Sequence, residues 1–568
     1  MSPSTNGAIP CSLHCLEEQS SCQVDNGRSE SLGSENNDMV LQTEAILKKS
    51  RKRKEITLED IYNNQTGLDV DDDDDLDWVP TQKNLDVFKW TCVNCTMVNL
   101  DDADCCEICG EHKESGIVRH GFFASPFSLG ADLTQAEHDT IKRFRDSCSQ
   151  TLTSNNTTAI GFDERMLLHS EVELTSHMHP ERPDRLRAIV ASLSTAGIFP
   201  GRCFPIPARE ITPEELQKVH STDLIESVGN TSRYLTSYFT PDTYANKHSA
   251  CAARLAAGLC ADLASAIFSG RMKNGFALVR PPGHHAGVSD AMGFCLHNNA
   301  AVAALAARAA GAKKVLIVDW DVHHGNGTQE IFQITKSVLY VSLHRHEGGK
   351  FYPGTGAADE VGSMGAEGYC VNVPWRRGGI GDNDYLFAFQ EIVLPLVTEF
   401  NPDFIIISAG FDAARGDPLG CCDITPAGYA QMTDMLNSFA GGKLLVILEG
   451  GYNLRSISSS ATSVIKVLLG ESAKCEMKDI KPSKSGLLTV MEVLAIQSNF
   501  WPSLKWNYSM LQLQWRNTVS QIKQTAGKKC RKGGLKGGTP IWWKVGRKWW
   551  LYQVLSGQIS SKLKRFKH

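Results

Sequence analysis

The stretch VLIVDWDVHHGNG, residues 315–327, decides how the rest of the chain is read. Val315 to Val318 is a short continuous apolar run of the kind that forms a fully buried parallel strand. It then ends in Asp319, Asp321, His323 and His324, four groups whose burial is costly unless each is paired or holds a metal. The pattern repeats: FALV (276–279), VLYVSL (338–343), FIIISAG (404–410) and LLVILEG (444–450) alternate with helical stretches such as HSACAARLAAGLCADLASAIFSG (248–270) and NNAAVAALAARAAGA (298–312). Short apolar strands separated by helices predict an α/β domain of roughly 300 residues, a parallel sheet covered on both faces. In such sheets sites gather at the carboxyl ends of the strands, where the polar clusters of this chain fall.

Four clusters have complementary chemistry. Asp321 and His323 are two apart, so continued strand geometry would put both side chains on one face, as two metal ligands require. FIIISAGFDAARGDP (404–418) supplies a third donor, Asp412, just past Gly410. Two carboxylates and one imidazole suit Zn(II) with an open position, and an oxygen-rich site of this kind also accepts Fe(II). RPPGHHA (280–286) offers two adjacent histidines, His284 and His285, as proton-transfer groups, with Asp319 and Asn326 available to orient them. A carboxylate behind one and an amide behind the other would push their basicities apart. Finally LLVILEGGYNL (444–454) ends in Tyr452 on a glycine turn, a hydrogen-bond donor for a developing oxyanion.

The ends differ in texture. With 568 residues, 42% of them hydrophobic, the chain can bury one large core and still carry appendages. Residues 1–87, rich in Ser, Asn, Glu and Asp, read as a disordered region with a basic run, KKSRKRK (48–54), and an acidic one, DVDDDDDLDW (69–78). The basic run is a nuclear-localisation type of signal or a nucleic-acid patch. No signal peptide and no unbroken apolar stretch of membrane-spanning length is evident, so an intracellular protein with no membrane role is expected, its eighteen cysteines mostly reduced. From 493 to 568 there are fifteen Lys or Arg, no Asp or Glu, and seven of the eleven Trp. SGLLTVMEVLAI (485–496) is expected to be an amphipathic helix packing on the main domain. The stretch 527–550 is expected to begin as a flexible basic linker. Nucleic-acid contact, a peripheral helical hairpin or a homo-oligomer contact are the readings this end allows.

FKWTCVNCTMVNLDDADCCEICGEHK (88–113) holds Cys92-x2-Cys95, ten residues, then Cys106-x2-Cys109, spacing that delivers four thiolates to one tetrahedral Zn(II). With Trp90 before the first Cys and Asn99 after the second, residues 88–115 resemble Ran-binding-protein type zinc fingers, whose members bind single-stranded RNA or ubiquitin. Where the RNA-binding members have arginines this chain has Leu100-Asp101-Asp102-Ala103-Asp104. Where the ubiquitin-binding members have Thr-Phe it has Thr96-Met97, with Ile108 before the last Cys. A protein-interaction or structural finger is therefore expected, with ubiquitin or another protein as the candidate partner.

RPPGHHAGVSDAMGFC, VDWDVHHGNGTQEIF, SLHRHEGGKFYPGTG, SAGFDAARGDPLG and LEGGY resemble the class II zinc-dependent histone deacetylases over about 167–470. The finger makes the chain similar to the plant members that carry one. The resemblance implies the arginase/deacetylase fold, an eight-stranded parallel sheet flanked by helices, with a catalytic domain over 150–475 and a basic, Trp-rich extension over 476–568. It implies Asp321, His323 and Asp412 as zinc ligands, His285 as general base and acid, His284 as its electrostatic neighbour, Asp319 behind them and Tyr452 on the oxyanion. Phe294 and Tyr352 match the aromatics lining the acetyl-lysine tunnel. Leu419 stands where a polyamine-deacetylating relative has Glu. Asp319, Asp321 and His323, with Ser342 and Leu343, match a monovalent-cation (K+) site, and Phe332, Thr335, Val338 and Tyr369 match a second. Tyr452, where class IIa members have His, implies a competent enzyme. Asn326, where class I members have Asp, fits class II. The function implied is hydrolysis of N6-acetyl-lysine on histone tails in transcriptional repression, with transcription factors or corepressor complexes as partners, in the nucleus or shuttling to the cytoplasm. A binuclear manganese amidino hydrolase of the same fold would need bridging carboxylates that HHGNG lacks. A scaffold recruiting partners through its finger and charged ends is the non-enzymatic alternative.

Overall fold

A computed structural model describes residues 89–91, 98–100, 103–106, 157–172, 179–473 and 480–530. The N-terminal region 1–87, Cys92, Cys95, Cys109 and the end of the basic extension lie outside the described residues. A short antiparallel hairpin, β1 (Lys89–Thr91) with β2 (Val98–Leu100), comes first, Trp90 opposite Asn99. The main sheet uses β3 (Thr158–Gly161) and β4 (Phe204–Ile206); β5 (Thr236–Thr240) and β6 (Thr243–Asn246) form a separate hairpin. It continues with β7 (Asn274–Ala277), β8 (Val315–Asp319), β9 (Val338–Arg345), β10 (Cys370–Trp375), β11 (Phe404–Ala409) and β12 (Leu444–Leu448). Its order is β10-β9-β8-β11-β12-β7-β3-β4, and every neighbouring pair is parallel.

The expected eight-stranded parallel sheet is therefore present. Every residue of β8, β11 and β12 is buried, because helices cover both faces. These include α1 (Asp184–Thr195), α2 (Ser249–Phe268), α3 (Asn299–Ala309), α4 (Asn326–Phe332), α5 (Pro426–Asn437) and α6 (Leu454–Leu468). Among the described residues α2 is the one helix long and apolar enough to cross a membrane by length and composition, and it lies mostly inside the domain. Its alanines allow close approach to the still more Ala-rich α3.

α7 (Lys484–Gln497) forms where the apolar spacing of 485–496 predicts a helix, burying Leu487, Val490, Val493 and Leu494 against edge strand β10. Gln497 donates to the Cys370 carbonyl at 3.1 Å, and the Trp501 indole to that of Gly368 at 2.7 Å. The edge of the sheet is thereby covered rather than left open to another chain. α8 (Pro502–Cys530) runs through residues 527–530, so the stretch expected to begin as a flexible linker begins as helix.

The sheet order matters most for function. Crossing from β7 to β8 skips two positions that β11 and β12 later fill, so β8, β11, β12 and β7 become adjacent. Their carboxyl ends carry, in that order, Asp319, Asp412, Tyr452 and His284–His285.

Candidate functional site

The first donors are set by local turns. Strand β8 stops at Asp319, and Trp320 to Gly325 is an irregular bend, so alternation along a strand is not what aligns Asp321 with His323. Instead the Asp321 N–H donates to Asp319 Oδ1 at 3.1 Å and the His323 N–H to Asp321 Oδ1 at 2.9 Å. Two successive Asx-type turns thus curl the chain and bring the side chains together.

Asp412 arrives from the neighbouring strand, its Oδ1 accepting from the Val322 N–H at 2.8 Å. His323 Nδ1 then lies 3.0 Å from Asp321 Oδ1 and 3.2 Å from Asp412 Oδ2. These three buried groups present donor atoms all within 4.8 Å of one another. Two glycines make room for them: a Cβ on Gly410 would meet Asp321 Oδ2 at 2.0 Å, and one on Gly450 would meet Asp412 Oδ2 at 2.3 Å. The Gly450 N–H also donates to Asp321 Oδ2 at 2.9 Å.

The electrostatics fit a divalent cation. Burial opposes charging of His323, yet hydrogen bonds to Asp321 and Asp412 and their charges hold its imidazolium up to about 9. Burial and the charge of Asp321 push Asp412 up to about 6. Two mutually repelling carboxylates thus close on one imidazole nitrogen, and a cation among them relieves the repulsion while leaving the imidazole neutral. Asp–His–Asp is a ligand set that Zn(II) accepts with room for a further ligand.

The two adjacent histidines receive different partners. His284 Nδ1 meets Asp319 Oδ2 at 3.0 Å, and His285 Nδ1 meets Asn326 Oδ1 at 2.7 Å. Although burial opposes it, the charges of Asp321 and Asp319 hold His284 well above the usual histidine range. Burial, with the charges of His284 and His323, pushes His285 well below it. The pair is thus pushed apart in basicity, His284 toward the charged form and His285 toward the neutral one, with 4.1 Å between ring centres. Asn326 occupies Nδ1 of His285, which leaves Nε2 as the ring nitrogen without that partner. His324 points elsewhere, to Thr355 Oγ1 at 2.9 Å and Gln329 Oε1 at 3.1 Å.

Tyr452 is held through its backbone, whose N–H donates to Asp417 Oδ2 at 2.7 Å. Burial first, then the charges of Asp412 and Asp321, push its phenol well above the usual tyrosine range, so the hydroxyl stays a donor. The Phe294 ring stands edge-on to Tyr452 at 5.8 Å, and Tyr352 edge-on to His285 at 5.3 Å, so both tunnel candidates flank the donors. Phe294 adopts φ +69°, a strained conformation for a residue with a side chain. Leu419 is buried nearby, its N–H on Asp417 Oδ1 at 2.9 Å.

Of the cation candidates, Ser342 lies beside Asp319 in the β8–β9 register and Leu343 follows it, fully buried. Phe332 caps a turn with Thr335, while the Tyr369 carbonyl accepts from Tyr340, two residues after Val338.

Several participants carry no signal in the motifs. Arg185 on α1 donates from Nε to the Gly451 carbonyl at 2.7 Å and from Nη2 to that of Glu449, with its guanidinium 5.2 Å from the Tyr452 ring centre. Glu181 binds Arg185 at 2.9 Å and grips Arg280 with both oxygens, at 2.9 and 2.7 Å. Burial pushes the Glu181 carboxyl up, but the two guanidiniums overcome it and hold it well below the usual range. Glu449 accepts from the N–H groups of Gly283, at 2.6 Å, and His284, at 3.1 Å, tying the histidine turn to β12. The charged run HPERPDR (179–185), interrupted by Pro180 and Pro183, was the available hint for the first two.

Among families of known sequence, residues 179–468 match the histone deacetylase domain. The chain is 62% identical to histone deacetylase 15 of Arabidopsis thaliana over 534 residues, 93% of this chain and 94% of that one. It is 44% identical to histone deacetylase HDA1 of Candida albicans, covering 61% of this chain and 45% of that one, so it spans about half the length of this fungal relative. The crystal structure of the HDA15 HD domain superposes with a TM-score of 0.61 at 73% identity, covering 63% of this chain and 99% of that one. All four strand ends fall inside the matched residues, and the chain belongs to the histone deacetylase family.

Proposed function

We propose that this protein is a zinc-dependent lysine deacetylase that hydrolyses N6-acetyl-lysine on histone tails and acts in chromatin-based repression in the nucleus. The observation that carries the reading is the convergence of Asp321, His323 and Asp412 beside His284 on Asp319, His285 on Asn326, and Tyr452. Asp321, His323 and Asp412 would hold Zn(II), which supplies Lewis-acid polarisation of the acetamide carbonyl and activation of a water. His285, neutral at physiological pH, takes a proton at Nε2 and returns it to the departing lysine amine. His284, kept charged by Asp319, stabilises negative charge in the tetrahedral state, and the Tyr452 hydroxyl donates to the oxyanion. Phe294 and Tyr352 flank the acetyl-lysine stem, with Leu419 lining the approach. A monovalent cation such as K+ would sit beside Asp319, Ser342 and Leu343, and a second by Phe332, Thr335, Val338 and Tyr369. Cys92, Cys95, Cys106 and Cys109 would hold a structural zinc.

The test is deacetylation of an acetyl-lysine histone peptide by purified full-length protein beside Tyr452→Phe and His285→Ala. Loss of one oxyanion donor is expected to cost on the order of 10²- to 10³-fold in kcat, and loss of the general base on the order of 10²- to 10⁴-fold. Wild-type protein as inert as both variants, with zinc supplied, would favour the scaffold reading instead.

A further inference from the structure

The finger segment has a seat on the catalytic domain. On α1, Leu186, Ile189, Val190 and Leu193 face the main core, whereas Ala188 and Ala191, three apart on one helical face, belong to a separate small cluster. Both alanines are 0% exposed, and what joins them there is Cys106, Leu454 and Trp90. Cys106 is 2% exposed, while its neighbour Cys105 is exposed. The Trp90 indole N–H donates to the Ala103 carbonyl at 2.9 Å, fixing the ring within the finger while it packs on the alanine stripe. Alanine is the side chain that lets a tryptophan and a buried thiol approach a helix this closely.

The seat borders the candidate oxyanion donor on two sides. α1 carries Arg185, which binds the carbonyls of Gly451 and Glu449 and lies over Tyr452. Leu454 is two residues beyond Tyr452 and opens α6, capped by the Asn453 side chain on the Arg455 and Ser456 N–H groups. α1 and α6 are also joined by Ser192 and Thr462, 2.8 Å apart between hydroxyls.

We propose that the finger is docked in cis, its Trp90–Cys106 face seated on Ala188, Ala191 and Leu454 at the back of the Tyr452 turn. The partner of this face is the chain's own catalytic domain, and a nucleic acid or a second protein has to use another face of the finger or displace it. The docking stands on these contacts alone and does not depend on which reaction the site performs.

Amide hydrogen exchange on the full-length protein tests this with reciprocal readouts. Ala191→Glu places a carboxylate under Trp90 and is read over residues 89–106; Trp90→Ala is read over residues 184–195. Each is expected to raise exchange in the other element by tenfold or more, with the double variant exchanging no faster than the single ones. Unchanged exchange of 184–195 in Trp90→Ala would overturn the proposal, as would unchanged exchange of 89–106 in a folded Ala191→Glu protein. If Ala191→Glu does not fold, the Trp90→Ala readout decides alone.

Discussion

Replacing Gly450 by alanine tests whether the donor cluster is set by backbone approach. Gly450 does not have a left-handed φ, so alanine adds a methyl without backbone strain. That methyl would land 2.3 Å from Asp412 Oδ2 and 2.6 Å from Asp321 Oδ2, against the 3.0 Å that real Cβ contacts essentially never undercut. The shortfalls are 3.0 less 2.3, about 0.7 Å, and 3.0 less 2.6, about 0.4 Å, and both carboxylates must retreat from the added methyl. Misplacement of reacting groups by about 1 Å costs on the order of 10²-fold, so kcat/KM for an acetyl-lysine peptide should fall roughly 10²-fold, about 2.7 kcal/mol. Bound zinc, measured by elemental analysis at limiting metal, should fall with it. Gly229→Ala is the matched control: its Cβ meets nothing within 4 Å, and in a helix it should stabilise by up to about 1 kcal/mol with activity unchanged. A Gly450→Ala protein with wild-type zinc content and turnover would refute the account of the cluster.

Three further outcomes follow from the same contacts. Glu181→Gln leaves Arg280 and Arg185 buried without their carboxylate, and urea unfolding should show a loss of about 3–5 kcal/mol; a loss within 0.5 kcal/mol, roughly the scatter of surface substitutions, would mean the network is not structural. Burial lowers His220 to about 4 and His324 to about 3, and burial with the Arg280 charge lowers His169 to about 3. These histidines protonate in the unfolded chain below about 6.5 but in the folded chain only near their lowered values, so their stabilising effect is full above 6.5. It is lost as pH falls from about 6.5 toward 4, each histidine costing up to about 1.4 kcal/mol per pH unit. Unfolding midpoints between pH 7 and 5 should show this slope, and His220→Gln should flatten it. Elemental analysis should find about two zinc per chain, one lost in Cys92→Ser and the other in Asp412→Ala; a single zinc that survives Cys92→Ser would remove metal from the finger reading.

Five strands, β7, β8, β9, β11 and β12, were legible because each holds a short apolar run, and each cluster directly follows one of them; TAIG, FPI and CVNVPW carry no such signal, and β3, β4 and β10 were not legible. The partner choice of the histidines was legible as a choice: one carboxylate, Asp319, and one amide, Asn326, lie within ten residues of each other. The reason Asp321 and His323 converge was not, since strand alternation and two consecutive Asx turns leave the same D-x-H spacing. Nor did anything local mark Glu449, and the charged run that holds Arg185 did not name its partners: their contacts join residues 165 and 264 positions away.

By itself the sequence determined the local facts: the apolar strands, the glycine turns that follow them, and the donor types at each strand end. The tertiary structure decided which ends stand side by side, because β11 and β12, later in the chain, lie between β8 and β7. That insertion brings Asp412 to His323, 89 residues away, and Glu449 to His284. It also decided what covers Ala188 and Ala191, two small residues on a half-apolar helix, whose neighbours Trp90 and Cys106 lie some eighty to a hundred positions upstream. Such contacts depend on chain crossings and on which face of a helix is left over once the core is filled, and periodicity along one segment does not encode either.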